Sequence, residues 1–528
     1  MSLQLDVRTP LADAATAQAR ANDLQGYWAG PTLQEAPPGL LSEPQSSRLV
    51  SAEYALTDVA QRSRLAAVPV TVDGNGSNAA ERTQTETPDG KPVVTDVLHR
   101  GSEVVVQREQ TLTEYGGRYY LASDQLTLVT GDDADSIQVS QGANGALAVD
   151  VNGQRIDLRL AQGQELQIRA GGGDDVIVVA PDVGVNTVVR AESGDNTIAT
   201  GGGSDRIFTG SGNDTIDAGA GDNYVVSHGG SNTIVAGDGN NVIYGGSGSD
   251  EVRVGNGRNY IDGGDGDDLI YTGAGDNMVH TGAGDDLVYS GTGNDRIYTG
   301  GGSDRIEVEG GRGNVVYALG GADAHAIATG SGAAVETVDV ADRPALGSRG
   351  VSVEGSPEFV QRVQADLAML ASSPAGQQML AALDAAADAS GNTVAIRELA
   401  NEQNGYAISS GGRIVNGRPS AGSDVEVRYN PDFFMAQEFP APVVVLYHEL
   451  SHAFNGVTGT FFPGTYNGSD RVDAGSVPNA ERQAVGVESD FVYDFGDGSG
   501  PIAHNPFPLT ENGLRTELGL PLRLHYTL

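Results

Sequence analysis

His448-Glu449-Leu450-Ser451-His452 is the stretch of this chain with the clearest chemistry. It reads H-E-x-x-H. Apolar residues dominate from Val443 to Phe454, and Pro440 and Pro442 stand just before them, as at the start of a helix. On a helix the two histidines are i and i+4, so both imidazoles leave the same face. Two neutral imidazoles so placed suit a tetrahedral zinc ion, with room for a third protein ligand and a water. Glu449, beside the first histidine, can reach that water as a general base. Two surface histidines on an ordinary helix are the bland alternative, and eight histidines in 528 residues make a chance pattern rare.

Chemistry alone leaves the third ligand open. A helix expected over Asn479–Glu488 carries Glu481 and Glu488, seven residues apart on one face. His504, Asp470, Asp473 and Asp490 compete, though turns and solvated loops account for such residues more often. Near the chain's end, Arg523-Leu524-His525-Tyr526 forms an Arg-x-x-Tyr pair. Close to a metal, Arg523 and Tyr526 would donate to the oxyanion of a tetrahedral intermediate. A C-terminal strand with ordinary packing explains them equally well. Asn512 and Arg515 either orient the cleft or serve as a helix cap and a surface ion pair.

Several elements must position these groups. Phe359, Val360, Val363, Leu367 and Leu370 give Glu358–Leu370 an amphipathic helical period. Pro374–Ala387 reads as a second helix, and Thr393–Leu399 and Val425–Tyr429 as strands. The long loop from Gly456 to Pro478 is expected to shape the cleft.

Upstream lies an internal repeat, x-G-x-G-x-(D/N)-x-U-x with U apolar, at a strict nine-residue spacing. Its sixth position alternates between two sets. One is Asp205, Asn223, Asn241, Asn259, Asn277 and Asp295; the other is Asp214, Asn232, Asp250, Asp268, Asp286 and Asp304. Apolar residues from Ile207 to Ile306 follow two positions later, and less regular copies precede at Asp175, Asn186 and Asn196. This pattern resembles the RTX family of calcium-binding nonapeptides. The resemblance implies a parallel β-roll in which glycine-rich turns bind calcium and x-U-x is a short strand. With two nonapeptides per coil, each set lines its own edge. Calcium favours carboxylate oxygens, whereas asparagines form neutral ladders. The expectation is a calcium row centred on Asp250–Asp304, with Asp205, Asp214 and Asp295 as further calcium positions, facing an asparagine ladder from Asn223 to Asn277 with little or no calcium.

YHELSHAFNGVTG, then ERQAVG, then FPLTENGLRTELGLPLRLHY follow in order in the last third of the chain. Together they resemble the NleD-type effector metalloproteases, zinc endopeptidases injected into host cells, whose characterised members cut mitogen-activated protein kinases. The resemblance covers about Glu358 to Leu528. It implies zinc held by His448, His452 and Glu481, with Glu449 as base, and a protein substrate, a host kinase by family. The Arg523/Tyr526 pair is similar to an arrangement in the clostridial neurotoxin proteases.

A formal net charge of −39 argues against nucleic acid and anionic membranes as partners. The chain has no cysteine, and no apolar run approaches the ~18 residues of a membrane span. The opening MSLQLDVRTPLADAATAQARAN lacks the basic and apolar regions of a Sec signal, so another export route is expected. Short strands are expected near Leu49–Leu56, Val93–Leu98, Glu103–Gln107 and Arg118–Leu121, with a helix over Leu11–Leu24 and irregular chain over Gly26–Pro44. LTLV, SIQVS, ALAVDV, RIDLRL and ELQIRA, from Leu126 onward, read as early rungs.

The resulting fold class is multidomain: a parallel β-roll or β-solenoid, RTX-like, followed by an α+β zincin-like metallopeptidase domain, behind a β-rich N-terminal region of unknown fold. Expected boundaries are 1–125, 126–334, a linker at 335–357, and 358–528. A monomeric zinc endopeptidase with a calcium-binding roll, secreted or delivered into a host cell, is the leading reading. A calcium-binding structural or adhesive protein with a vestigial protease domain is the alternative, and in either case the roll can serve export by folding only where calcium is plentiful.

Overall fold

The computed structural model describes residues 70–87, 90–115, 118–320, 325–330, 332–399, 405–410, 412–432 and 441–526. The expectations for Leu11–Leu24, Gly26–Pro44 and Leu49–Leu56 lie outside these residues. Two compact units emerge, one drawn from residues up to 84, 94–110 and 123–220, the other from 85–93, 111–122 and 221–528. No helix among the described residues is long and apolar enough to cross a membrane.

Among its described residues the first unit is built of β-strands, apart from two single 3-10 turns at Ala79–Glu81 and Ala143–Gly145. The strand ending LTLV pairs in parallel with Glu165–Gly172, and SIQVS pairs in parallel with Val176–Val179, as rungs should. Leu147–Val151 and Gln154–Arg159 differ from expectation: they fold back antiparallel from Ser136–Gln141 as a meander. Asn152 and Gly153, with φ of 52° and 88°, make the tight turn between them. Period-two alternation is the same in a rung and in a hairpin, so only the turn residues separate the two.

Each unit contains parallel rungs. In the second, Tyr224 pairs with Val242, then Tyr260, then Met278, then Arg296, each step 18 residues, so two nonapeptides complete one coil. The step grows to 19 at Arg296–Val315 and to 20 at Arg305–His325, where the repeat decays. The segment 335–357, expected as linker, carries the strands Val335–Val340 and Val351–Glu354. The apolar U residues form a thin core; Val225, Ile234, Ile243, Val252, Ile261 and Ile270 are all fully buried. Glycine is required where coils stack. Gly264 has φ 106°, and a Cβ there would stand 1.8 Å from Gly246 O.

Beyond the solenoid, the chain builds β1 (Val351–Glu354), α1 (Pro357–Ala371), α2 (Pro374–Ser390), β2 (Val394–Glu398), β3 (Gly405–Ser409), β4 (Val425–Tyr429), α3 (Pro442–Thr458), α4 (Asn479–Val485) and α5 (Glu511–Glu517). The sheet order is β1-β2-β4-β3. β1, β2 and β4 are parallel, and β3 closes one edge antiparallel. Ser356, Ser373 and Thr510 accept backbone N–H groups at the starts of α1, α2 and α5. α3 starts on Pro442 and stops at Gly459, which takes the left-handed conformation. It packs against β3, β4, α2, α4 and α5 and is buried on nearly every side, which suits its apolar sequence.

Candidate metal centre and calcium positions

His448 and His452 leave α3 on one face, one turn apart. Their Nε2 atoms are 3.2 Å apart, and Glu481 Oε2 on α4 lies 3.0 Å from His452 Nε2 and 3.7 Å from His448 Nε2. The donors of a tetrahedral zinc site with ~2.05 Å bonds stand ~3.3 Å apart, so these three atoms fit such an ion. They also form one of two groups of possible metal donors among the described residues. Glu488 is different. α4 ends at Val485, and Glu488 lies beyond it, exposed, with only its backbone carbonyl engaged by Arg482. His504 turns to Asn505 O.

A residue absent from the sequence reading completes the centre. Glu511 opens α5, is fully buried, and its Oε2 lies 2.9 Å from His448 Nδ1. An ionised carboxylate can only accept, so Nδ1 carries the proton and Nε2 is left to face the centre. Arg515 Nε donates to Glu511 Oε1 at 2.7 Å, and Arg523 Nη1 to Oε2 at 3.0 Å. Arg515 therefore serves an ion pair, but a buried one. Arg523 also donates to the carbonyl of Tyr526. Asn512 grips the Arg523 backbone, donating to its carbonyl and accepting its N–H, both at 2.9 Å. The Tyr526 ring lies 6.3 Å from that of His448.

Burial works against charge throughout this site, and at His448, Glu481 and Glu511 the partners outweigh it. It disfavours the His448 imidazolium, but Glu481 and Glu511 outweigh it and bring the ring up to about 10. A site that binds a proton this firmly between carboxylates also attracts a cation. Burial likewise opposes ionised Glu511 and Glu481, yet the histidines and, at Glu511, the two arginines hold both below the usual carboxylate range, Glu511 at about 2. Glu449 is raised, mainly by burial. Burial, with the charges of Glu481 and Glu449, pushes the Tyr526 phenol up to about 12, so it remains a proton donor.

The repeat positions form two unlike edges. On one, Asn223, Asn241, Asn259 and Asn277 each donate Nδ2–H to the next residue's Oδ1, at 2.9–3.1 Å, ending on Asp295. Their amides also donate to turn carbonyls such as Gly237 O, Gly255 O and Gly273 O. Asp295 belongs to this ladder, its other oxygen engaged by Ser290. On the other edge, Asp250, Asp268 and Asp286 donate backbone N–H to the Oδ1 of Asp268, Asp286 and Asp304. The Oδ2 atoms of Asp268 and Asp286 are buried without a hydrogen-bond partner. Asp268 Oδ2 points at Gly263, where a Cβ would stand only 2.5 Å away. Burial drives Asp268 up to about 9, Asp304 to about 7 and Asp286 to about 6. Stacked carboxylates with unshared oxygens, set in glycine turns, fit a hard cation such as calcium. In the first unit Asp205 and Asp214 accept the N–H of Thr187 and Asn196 in the same way.

Comparison with known proteins agrees with both resemblances. Residues 347–526 match the peptidase M91 family, described as an effector protein. Residues 190–225, 227–261, 244–279, 254–288 and 280–315 match the RTX calcium-binding nonapeptide repeat. Searches of the curated proteins and of the solved structures returned no match.

Proposed function

We propose that the effector-peptidase domain is a zinc-dependent endopeptidase, borne on a protein that is secreted or delivered into a host cell with its calcium-binding roll. The convergence of His448, His452 and Glu481 at tetrahedral spacing, with Glu449 buried beside them, carries this reading. Zinc held there would supply Lewis acidity and an acidified water. Glu449 takes the proton of the attacking water and returns it to the leaving amine, a task its raised proton affinity suits. Glu511 keeps the His448 ring in place through Nδ1, and the Tyr526 phenol donates to the developing oxyanion.

The substrate is a protein chain, a host kinase being the class implied by the resemblance to effector metalloproteases. Edge strand β3 supports extended binding. Its Tyr406 and Ile408 are 41% and 49% exposed, and a Cβ on Gly405 would stand 3.2 Å from Glu449 Cγ. A segment adding to this edge passes the catalytic carboxylate. Asp205, Asp214, Asp250, Asp268, Asp286, Asp295 and Asp304 remain the proposed calcium positions, with the Asp250–Asp304 row the strongest. Glu449→Gln tests the peptidase reading. Zinc content should stay at the wild-type level while proteolysis drops by about 10²–10⁴-fold. Wild-type cleavage by this variant would sink the mechanism.

A further inference from the structure

We propose that Asp473 is a positioning residue for peptide hydrolysis, latching the C-terminal segment so that the Tyr526 phenol faces the metal centre. This rests on the reading of Tyr526 as oxyanion donor. After α5 the chain from Gly519 to Tyr526 forms no helix or strand, so no regular backbone ladder positions Tyr526. Side chains hold it instead. Asn512 fixes the Arg523 backbone, and Asp473 Oδ2 accepts the Tyr526 N–H at 2.8 Å. Asp470 Oδ2 lies 2.8 Å from His525 Nδ1.

Asp473 is fully buried in the loop after Phe461, more than twenty residues from the H-E-x-x-H motif, and Arg482 determines where its carboxylate points. The Arg482 guanidinium ion-pairs with both Asp473 and Asp470 and lies 3.9 Å over the Tyr466 ring. Arg482 directly follows Glu481 on α4. One turn of helix therefore sends Glu481 to the histidines and Arg482 to Asp473, which accepts the Tyr526 N–H, and to Asp470, which meets the His525 ring. Asp470, Asp473 and His525 have donor atoms close enough for a second metal ion. The guanidinium already supplies the positive charge there, so the cluster reads as a latch.

The test uses the zinc-loaded full chain, fluorescein-labelled casein as substrate, and amide hydrogen exchange over residues 519–526. Asp473→Ala and Tyr526→Phe are each expected to lower kcat by about 10²–10³-fold, with KM and zinc content unchanged. The double variant should fall no further than either single one. Asp473→Asn, which keeps an acceptor oxygen for the Tyr526 N–H, should regain most of the rate. The Tyr526 amide should exchange faster in Asp473→Ala than in the wild type and stay protected in Tyr526→Phe. Additive losses, or full kcat in Asp473→Ala, overturn the latch while leaving Tyr526 as donor. Full kcat in Tyr526→Phe removes the donor reading and the latch's purpose with it. An unchanged Tyr526 exchange rate in Asp473→Ala refutes the latch even if the wild type leaves casein uncut, an outcome that counts separately against the peptidase reading.

Discussion

A histidine that binds a metal through Nε2 is oriented by whatever accepts its Nδ1–H. For His448 that acceptor is Glu511, whose charge Arg515 and Arg523 balance in turn. Removing the carboxylate leaves two buried guanidinium groups facing an imidazole. Glu511→Ala should therefore weaken zinc binding by about 10–100-fold, read by competition against a fluorescent chelator. Glu511→Gln, which keeps one acceptor oxygen, should lose less. An unchanged zinc affinity in Glu511→Ala means the carboxylate does not orient the ligand. His448 and His452 were legible because helical spacing alone puts them on one face, and Glu449 because it adjoins the first of them. Glu511 was not, since it lies 63 residues beyond His448 and reaches it only through the packing of α5 against α3. The available signal was local: Arg515 pairs with Glu511 at i,i+4, so Asn512 and Arg515 drew notice while the acid beside them did not.

The two edges of the roll satisfy the same turns by different chemistry. On the amide edge, Asn259 accepts the N–H and Nδ2–H of Asn241 and donates to Gly255 O and Asn277 Oδ1. On the acid edge, the corresponding Asp268 accepts one N–H and leaves a buried oxygen unshared. Calcium titration should therefore separate them. Asp268→Asn should lower the calcium stoichiometry of the roll. Asn259→Ala should leave calcium stoichiometry intact and lower stability, by about 1–3 kcal/mol for each buried group left unpaired. Equal calcium loss in both variants would contradict two unlike edges. This element was readable because every copy puts Asp or Asn at a fixed distance from an apolar residue, and that distance fixes the coil. Leu147–Arg159 escaped because strand alternation carries no direction; Asn152 and Gly153 were the only local sign of a reversal.

Coils of the second unit form part of the peptidase core. Strands leaving the amide edge turn Tyr224, Tyr244 and His280 toward α1. Arg362 lies 3.3 Å over the Tyr244 ring and donates to the Tyr224 hydroxyl at 3.1 Å. The hydroxyls of Tyr244 and of Tyr429 on β4 both donate to Asp366, which is fully buried. Arg296 donates to Glu517 O at the end of α5, the helix that begins with Glu511. Loss of these coils would strip Arg362 and Asp366 of their tyrosine partners, at about 1–3 kcal/mol for each buried polar group left unpaired, so the peptidase should tolerate it poorly. The strands leaving the acid edge instead leave Arg253, Tyr271, Tyr289 and Glu307 partly exposed. The proposed calcium row thus lies on the edge whose strands the peptidase does not use. In a calcium-free, zinc-buffered solution the acid edge should loosen, seen as faster amide exchange over 250–308, while proteolysis continues at its initial rate. Asn259→Asp should reverse this independence. An aspartate there keeps the acceptor for Asn241, but it turns carboxylate oxygens toward Gly255 O and Asn277 Oδ1, where the amide had donated. Buried acceptors facing acceptors need a cation between them. The variant should cleave protein when calcium is present and lose activity when it is withdrawn. If the wild type already stops working without calcium, or the variant works equally well without it, the amide edge is not what frees the peptidase from calcium.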